Sequence, residues 1–226
     1  SSDVTADVCP DSGGKCQFLD ELQALRKEIN DLRHQVQTDA LTTLYNYRFF
    51  SNLLPLEMER ARRSLQPLSL ILLDIDHFKQ FNDRWGHELG NQALIHISHL
   101  ISVTIRKLDF ACRFGGEEFA IILPNTDLQQ AIHVAERLRI AIATAAFNAE
   151  ESEVYLTASM GVDEFKATDT DSPNSFVERV DLWLYKAKNA GRNLVKAPAV
   201  VPLDTRTHVT ADEKEALFNI LNDLDK

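Results

Sequence analysis

Residues 68–75 read Leu-Ser-Leu-Ile-Leu-Leu-Asp-Ile, a continuous apolar run that ends on a carboxylate. A run this short predicts a buried β-strand, since a membrane span needs about 20 apolar residues. The segments around it change period. Residues 47–64 read as a helix closing on a basic cluster, Arg60, Arg62 and Arg63. Leu94, Ile97, Ile101, Ile105 and Leu108 recur at helical spacing and predict a helix over 91–108. Short strands at 110–114 and 118–123 flank Gly115-Gly116. A Gly-Gly link is a hairpin signal, because both residues can take positive φ. A helix over 127–146 turns Ala131, Ala135, Leu138 and Ile142 inward. Val154, Leu156, Ala158, Met160 and Val162 alternate with polar or small residues and predict a half-buried strand. Ser172 and Pro173 open a helix that runs to Ala190 and stops at Gly191, and a last strand follows at 192–196. Antiparallel pairing mixed with helical crossovers gives an α+β fold.

Different patterns flank this domain, which is expected over 39–197. Residues 1–16 carry Pro10, Gly13 and Gly14 and read as a flexible tail. Over 17–38, Phe18, Leu22, Leu25, Ile29, Leu32 and Val36 follow a heptad seam. The seam suits a dimerising coiled coil or one amphipathic helix lying on its own domain. Residues 198–226 read as a linker and a short helix, opened by the capping box Thr210 to Glu213.

The net charge of −10 on 226 residues argues against non-specific nucleic-acid binding. An acidic chain that handles phosphates needs divalent cations or basic residues gathered in one place. The three cysteines, Cys9, Cys16 and Cys112, have no disulfide-framework spacing and suit a reducing cytoplasm. Cys9 and Cys16 have no obvious partner ligands, so they read as part of an ordinary tail. A start without Met leaves room upstream for a sensory domain or a membrane anchor in a parent protein. This chain itself is expected to make no membrane contact.

The chemistry concentrates at two places. The apolar strand closes on Asp74-Ile75-Asp76, followed by Phe78-Lys79 and Asn82-Asp83. A strand end holds a carboxylate rigidly, and a helix start offers N–H groups to phosphate oxygens, which suits a magnesium and phosphate site. The plainer reading has Asp76 capping the helix and Asp74 solvated at the strand end. The second place is Gly115-Gly116-Glu117-Glu118-Phe119, two acids at a turn that a ligand can approach closely. If this hairpin lies beside the strand, Asp74 and Glu117 can share a cation that relieves their repulsion.

These residues match a family. Gly115 to Phe119 is the GGEEF form of the GGDEF signature. Asp39-Ala40-Leu41-Thr42 with Leu44, Asn46 and Phe50 resembles that family's opening motif. Asp74 to Lys79 with Asn82-Asp83 resembles its metal and phosphate segment, and Trp85-Gly86-His87 with Gly90 the next one. Ser159, Gly161, Tyr185, Ala187, Lys188 and Gly191-Arg192-Asn193 resemble its closing segments. So many motifs in order are far more specific than the pentapeptide alone.

The resemblance implies a palm-like domain, similar to class III nucleotide cyclases, with a central, mainly antiparallel sheet flanked by helices. It implies a diguanylate cyclase that joins two GTP into cyclic di-GMP, with two domains facing each other as a homodimer. It assigns Mg²⁺, for which Mn²⁺ can substitute, to Asp74, the Ile75 carbonyl and Glu117. Glu117 or Glu118 helps remove the ribose proton. Lys79, Lys188 and Arg192 neutralise phosphate, Asn82 reads guanine, and Phe78, His87 and Asn91 border the nucleoside. Arg106-Lys107-Leu108-Asp109, with five residues between Asp109 and Gly115, stands where the family keeps its product-inhibition motif. Arg106 and Asp109, joined by Arg137, are therefore expected to bind cyclic di-GMP. The plainer readings are a surface ion pair for Arg106 and Asp109, helix-end cations for Lys188 and Arg192, and a turn residue for His87.

Three positions depart from the pattern. Asn91 replaces the usual aspartate that helps read guanine. An amide offers one acceptor where a carboxylate meets both guanine donors, a difference of about 1–3 kcal/mol. Base specificity is therefore open, and a mixed GMP–AMP cyclase is one alternative. A catalytically silent receptor for GTP or cyclic di-GMP is the other. Thr43 replaces a usual glycine and Tyr47 a usual arginine in the opening motif, away from the metal segment.

Overall fold

In the computed structural model, residues 24–26, 37–149 and 152–199 are described. The expected tail, most of the 17–38 helix and the capping-box helix lie outside these residues. The first helix, α1 (Tyr47–Ser64), starts where the Asn46 side chain accepts the Phe49 N–H. It buries Phe50, Leu54, Met58 and Ala61 on one stripe. Strand β1 (Leu68–Ile75) follows, then α2 (Phe78–Thr104), β2 (Phe110–Gly115), β3 (Glu118–Pro124) and α3 (Leu128–Thr144). A small hairpin, β4 (Ala146–Ala149) and β5 (Ser152–Tyr155), leads to β6 (Ala158–Phe165), α4 (Pro173–Asn189) and β7 (Val195–Lys196).

The main sheet has the order β2-β3-β1-β6-β7. Strand β1 is its centre and runs antiparallel to β3 and β6, while β6 and β7 are parallel. This is the mainly antiparallel α+β sheet expected. Odd-numbered residues of β1, Ile71, Leu73 and Ile75, pack with α2 and α3. Even-numbered ones, Leu68, Leu70 and Leu72, pack with α1 and α4. Helices on both faces explain why the strand is apolar at successive positions. Helix α4 lies so close to β6 that a Cβ at Gly161 would stand 2.3 Å from the Leu184 nitrogen and the Val180 oxygen. Glycine there sets the depth of α4, and with it the place of Lys188.

Four expectations change in detail. The second helix begins at Phe78, bends at Gly86 (φ 81) and ends at Thr104. Ile105 is its extended C-cap and Leu108 is exposed, because the Asp109 carboxylate takes the Arg106 N–H at 2.8 Å and turns the chain out of the helix. The hairpin turn is Gly116-Glu117, with Gly115 still in β2, and of its glycines only Gly116 has positive φ. The strand expected at 154–162 is two, since the chain leaves β5 after Tyr155 and enters β6 at Ala158. Strand β6 is buried along nearly its whole length, because β1 and β7 pair with it and α3 and α4 pack on it. The last strand is shortened to Val195–Lys196 by left-handed backbone at Arg192 and Asn193.

Candidate active site

The end of β1 gathers the acids. Asp74 is paired in register with Glu118 of β3 and Ser159 of β6. The Ile75 N–H donates to the Glu117 carbonyl at 3.4 Å, so the hairpin turn lies over the same strand end. Asp74 is no solvated strand end, for its side chain is only 13% exposed. Burial pushes its carboxyl above the usual range, against the Lys188 ammonium 2.8 Å away, and the charges of Glu117 and Asp76 push it further up. Burial likewise raises Glu118, and Asp74 adds to it, partly offset by Lys188. Lys188 reaches this cluster from the last turn of α4.

Crowded carboxylates that resist ionisation mark a place for a cation. The donors are hard oxygens, which suit a hard divalent ion, and the Lys188 ammonium against Asp74 shows that positive charge fits there. Ile75 buries its side chain in the core. Among the described residues no three His, Cys, Asp or Glu side chains form a closed metal cluster.

Asp76, only two residues on, turns away. It is buried, and its oxygens accept from Thr157 Oγ1 at 2.7 Å, Ser159 Oγ at 2.6 Å and the Asn193 N–H at 2.9 Å. Nor does it cap α2, whose N-cap position is His77 in a left-handed conformation. Helix α2 sets the other side of the site. Lys79 is exposed in its first turn, and Phe78 is buried, with its ring stacked 6.1 Å from Phe81. One turn on, the buried Asn82 Oδ1 has no hydrogen-bond partner. It is aimed at Gly90, where a Cβ would meet it at 1.9 Å. A buried acceptor without a donor is costly unless a ligand supplies one. His87 and Asn91 are exposed beyond the bend at Gly86, and Arg192 is exposed after α4.

A second constellation forms where α2 gives way to β2. Asp109 holds the Arg106 backbone, and its carboxyl is raised by burial, opposed by the Arg106 N–H and by the charges of Arg106 and Arg137. Arg137 reaches from α3 and donates to the Thr104 carbonyl at 2.6 Å. A groove of about 350 Å³ runs beside Arg106, Lys107 and Asp109 toward Tyr45. The three residues expected to form one site thus converge.

Sequence reasoning missed Arg113. Its guanidinium donates to the Gly116 carbonyl at 3.0 and 2.9 Å and to Asp39 at 3.1 Å, tying the hairpin turn to the start of the domain. An arginine two residues before the paired glycines was the available signal. Cys112 is buried, which pushes its thiol up to about 12 and leaves it unreactive.

The model of the family described as "Diguanylate cyclase, GGDEF domain" matches residues 36–194. The response regulator PleD of Caulobacter vibrioides is 37% identical over 175 residues, covering 75% of this chain and 38% of PleD. This chain thus spans about two fifths of that relative's length. Among solved structures, the coiled coil and GGDEF domain of DgcB from Caulobacter crescentus, in complex with c-di-GMP, is 32% identical at a TM-score of 0.73, over 79% of this chain and 94% of that one. The active GGEEF domain of a Vibrio cholerae diguanylate cyclase is 36% identical at a TM-score of 0.64, over 69% and 98%. With its acids brought to one strand end and its ordered motifs folded as in these relatives, the chain belongs to the GGDEF, or diguanylate cyclase, domain family.

Proposed function

We propose that this chain is a magnesium-dependent diguanylate cyclase that works as a homodimer and is restrained by its product. The convergence of Asp74, Glu117 and Glu118 on one strand end, with Lys188 against them, carries this reading. All the acids the reaction needs are present, which disfavours a silent receptor. Each domain holds one GTP. Lys79, Lys188 and Arg192 pair with phosphate oxygens, and Lys188 shifts from Asp74 to the phosphates as substrate enters. Phe78 and His87 border the nucleoside, and Asn82 presents its unpaired oxygen to a base donor. Held by Asp74, the Ile75 carbonyl and Glu117, Mg²⁺ or Mn²⁺ would neutralise charge on the triphosphate. Glu118, with its raised carboxyl, takes the proton from the ribose 3′-OH more readily than an ordinary carboxylate. The 3′-oxygen bonds to the α-phosphorus of the GTP in the facing domain, and the bond to pyrophosphate breaks. Two such steps close the ring and release two pyrophosphates.

Arg106, Asp109 and Arg137 form the inhibitory product site, where planar guanidinium groups grip phosphate and stack on bases. We place the reaction in the cytoplasm, where GTP is available. No helix among the described residues is long and apolar enough to cross a membrane. Asn91 favours a second reading, a mixed GMP–AMP cyclase, because an amide discriminates guanine less well than a carboxylate. Incubation with Mg²⁺ and GTP, ATP or both, followed by product separation, tests these readings. Cyclic di-GMP from GTP alone, lost in Glu117→Ala, is the expected result. A mixed product would move specificity to Asn91, and no product with cyclic di-GMP still bound would make the chain a receptor.

A further inference from the structure

The loop that carries Arg192 is held in a conformation its residues disfavour. Arg192 and Asn193 have φ of 63° and 46°, consecutive left-handed positions that L-residues other than glycine adopt at a cost. Such backbone persists only where its surroundings fix it. Here the Arg192 N–H donates to the Ala187 carbonyl at 3.2 Å and the Asn193 N–H to Asp76 Oδ2 at 2.9 Å. The Asn193 side-chain oxygen accepts from Arg139 at 3.0 Å. Asp76 is in turn fixed by Thr157 and Ser159, and Arg139 by Glu136 at 2.7 Å. The loop therefore hangs on a buried carboxylate two residues beyond Asp74 and on an arginine from α3.

We propose that Asp76 and Arg139 are positioning residues that clamp the Gly191-Arg192-Asn193 loop, so that Arg192 meets the substrate phosphates at a fixed distance from Asp74. The proposal rests on the reading of this site as a GTP site. Asp76 joins the acid-bearing strand directly to the phosphate-binding loop. Its hydroxyl and N–H donors already occupy both oxygens, which explains a carboxylate beside a cation site that faces away from it. Arg139 supplies the second hold, and α3 carries it without approaching the substrate.

The test is the affinity for a GTP analogue with a methylene bridge between α- and β-phosphorus, measured by calorimetry with Mg²⁺. Arg139→Ala should bind it roughly tenfold more weakly, the scale of one lost charge-assisted hydrogen bond, and melt somewhat lower, while still binding cyclic di-GMP as the wild type does. In an Arg192→Ala background the same substitution should cost nothing further, because Arg139 acts through Arg192. Asp76→Asn should behave likewise, since an amide NH₂ cannot accept the Asn193 N–H and the three donors exceed what its one oxygen can take. Wild-type binding that Arg139→Ala leaves unchanged overturns the inference alone, as does an equal loss with and without Arg192. A wild-type chain that binds no analogue overturns the reading of the site and the inference with it.

Discussion

Asp74 carries the strongest electrostatic consequence of the fold. Its carboxyl and that of Glu118 are raised, chiefly by burial. A raised folded-state carboxyl means that the folded chain holds its proton more tightly than the unfolded chain. The penalty is absent below the ordinary carboxylate range, grows as pH rises through the unfolded and then the folded values, and is complete above both. Without divalent cation, then, these two groups destabilise the domain at neutral pH and stop doing so on acidification. Mg²⁺ should raise the melting temperature of the wild type at neutral pH, and the rise should fade as the acids protonate. Asp74→Asn should melt no lower than the wild type in chelator at neutral pH and show no Mg²⁺ shift, read by thermal melts across pH. Comparing the two chains matters because Asp39 works in the opposite sense. Burial alone would raise its carboxyl, but bonds from Thr42 and Arg113 hold it below the usual range, so its contribution is lost in acid. Sequence pattern pointed at Asp74, Glu117 and Asn82 because their neighbours in the chain carry motifs. It could not assign Asp76, whose partners Thr157 and Asn193 lie 81 and 117 residues away.

Among elements, the β2–β3 hairpin depends most on one side chain. Its turn presents Glu117, with Glu118 opening β3, and Arg113 binds the Gly116 carbonyl and Asp39 at once. This pair is largely buried, at 17% and 24% exposure, so it is not a weak surface bridge. Arg113→Ala should lower cyclic di-GMP synthesis at least tenfold while costing about 1–3 kcal/mol of stability, the scale of a half-unpaired buried polar contact. Arg113→Lys should recover the stability better than the activity, because one ammonium cannot reproduce a fork that bridges two partners. Melts and product assays on both variants separate these effects. The strands and the helices were legible wherever apolar spacing was decided by one burying face. The Ala131 to Ile142 stripe is such a case, and strand β1, covered on both faces, was legible instead as an unbroken apolar run. The β4–β5 hairpin was not legible. Ala146 continues the alanine-rich helical pattern, and its strand identity comes from tertiary packing, with Phe147 against Phe81 and His96. Ile105 and Leu108 kept helical spacing past the point where Asp109 closes the turn.

For the whole molecule, β2 is the shared part. Asp109 stands just before its first residue and the acidic turn follows its last. Six residues of strand put roughly 15–20 Å between the two ends. The opening segment is stitched to the same strand, for the Tyr45 N–H donates to the Ala111 carbonyl at 3.1 Å and the Arg113 N–H to the Tyr45 carbonyl at 2.7 Å. On the proposed reading, a cyclic di-GMP molecule held by Arg106, Asp109 and Arg137 lies a strand's length from the acids and does not occupy the GTP site of its own domain. On that reading it would act by holding two domains in an arrangement where their GTP molecules do not meet, or through β2 itself. Either route lowers turnover without competing for substrate. Added cyclic di-GMP should reduce kcat and leave KM for GTP nearly constant, whereas a product that entered the GTP site would raise KM. Arg106→Ala should keep the uninhibited rate and lose most of the inhibition, because it removes one guanidinium from a surface far from the acids. Initial rates at several GTP concentrations, with and without added product, decide the matter. A competitive pattern in the wild type would move product binding to the strand end that carries Asp74.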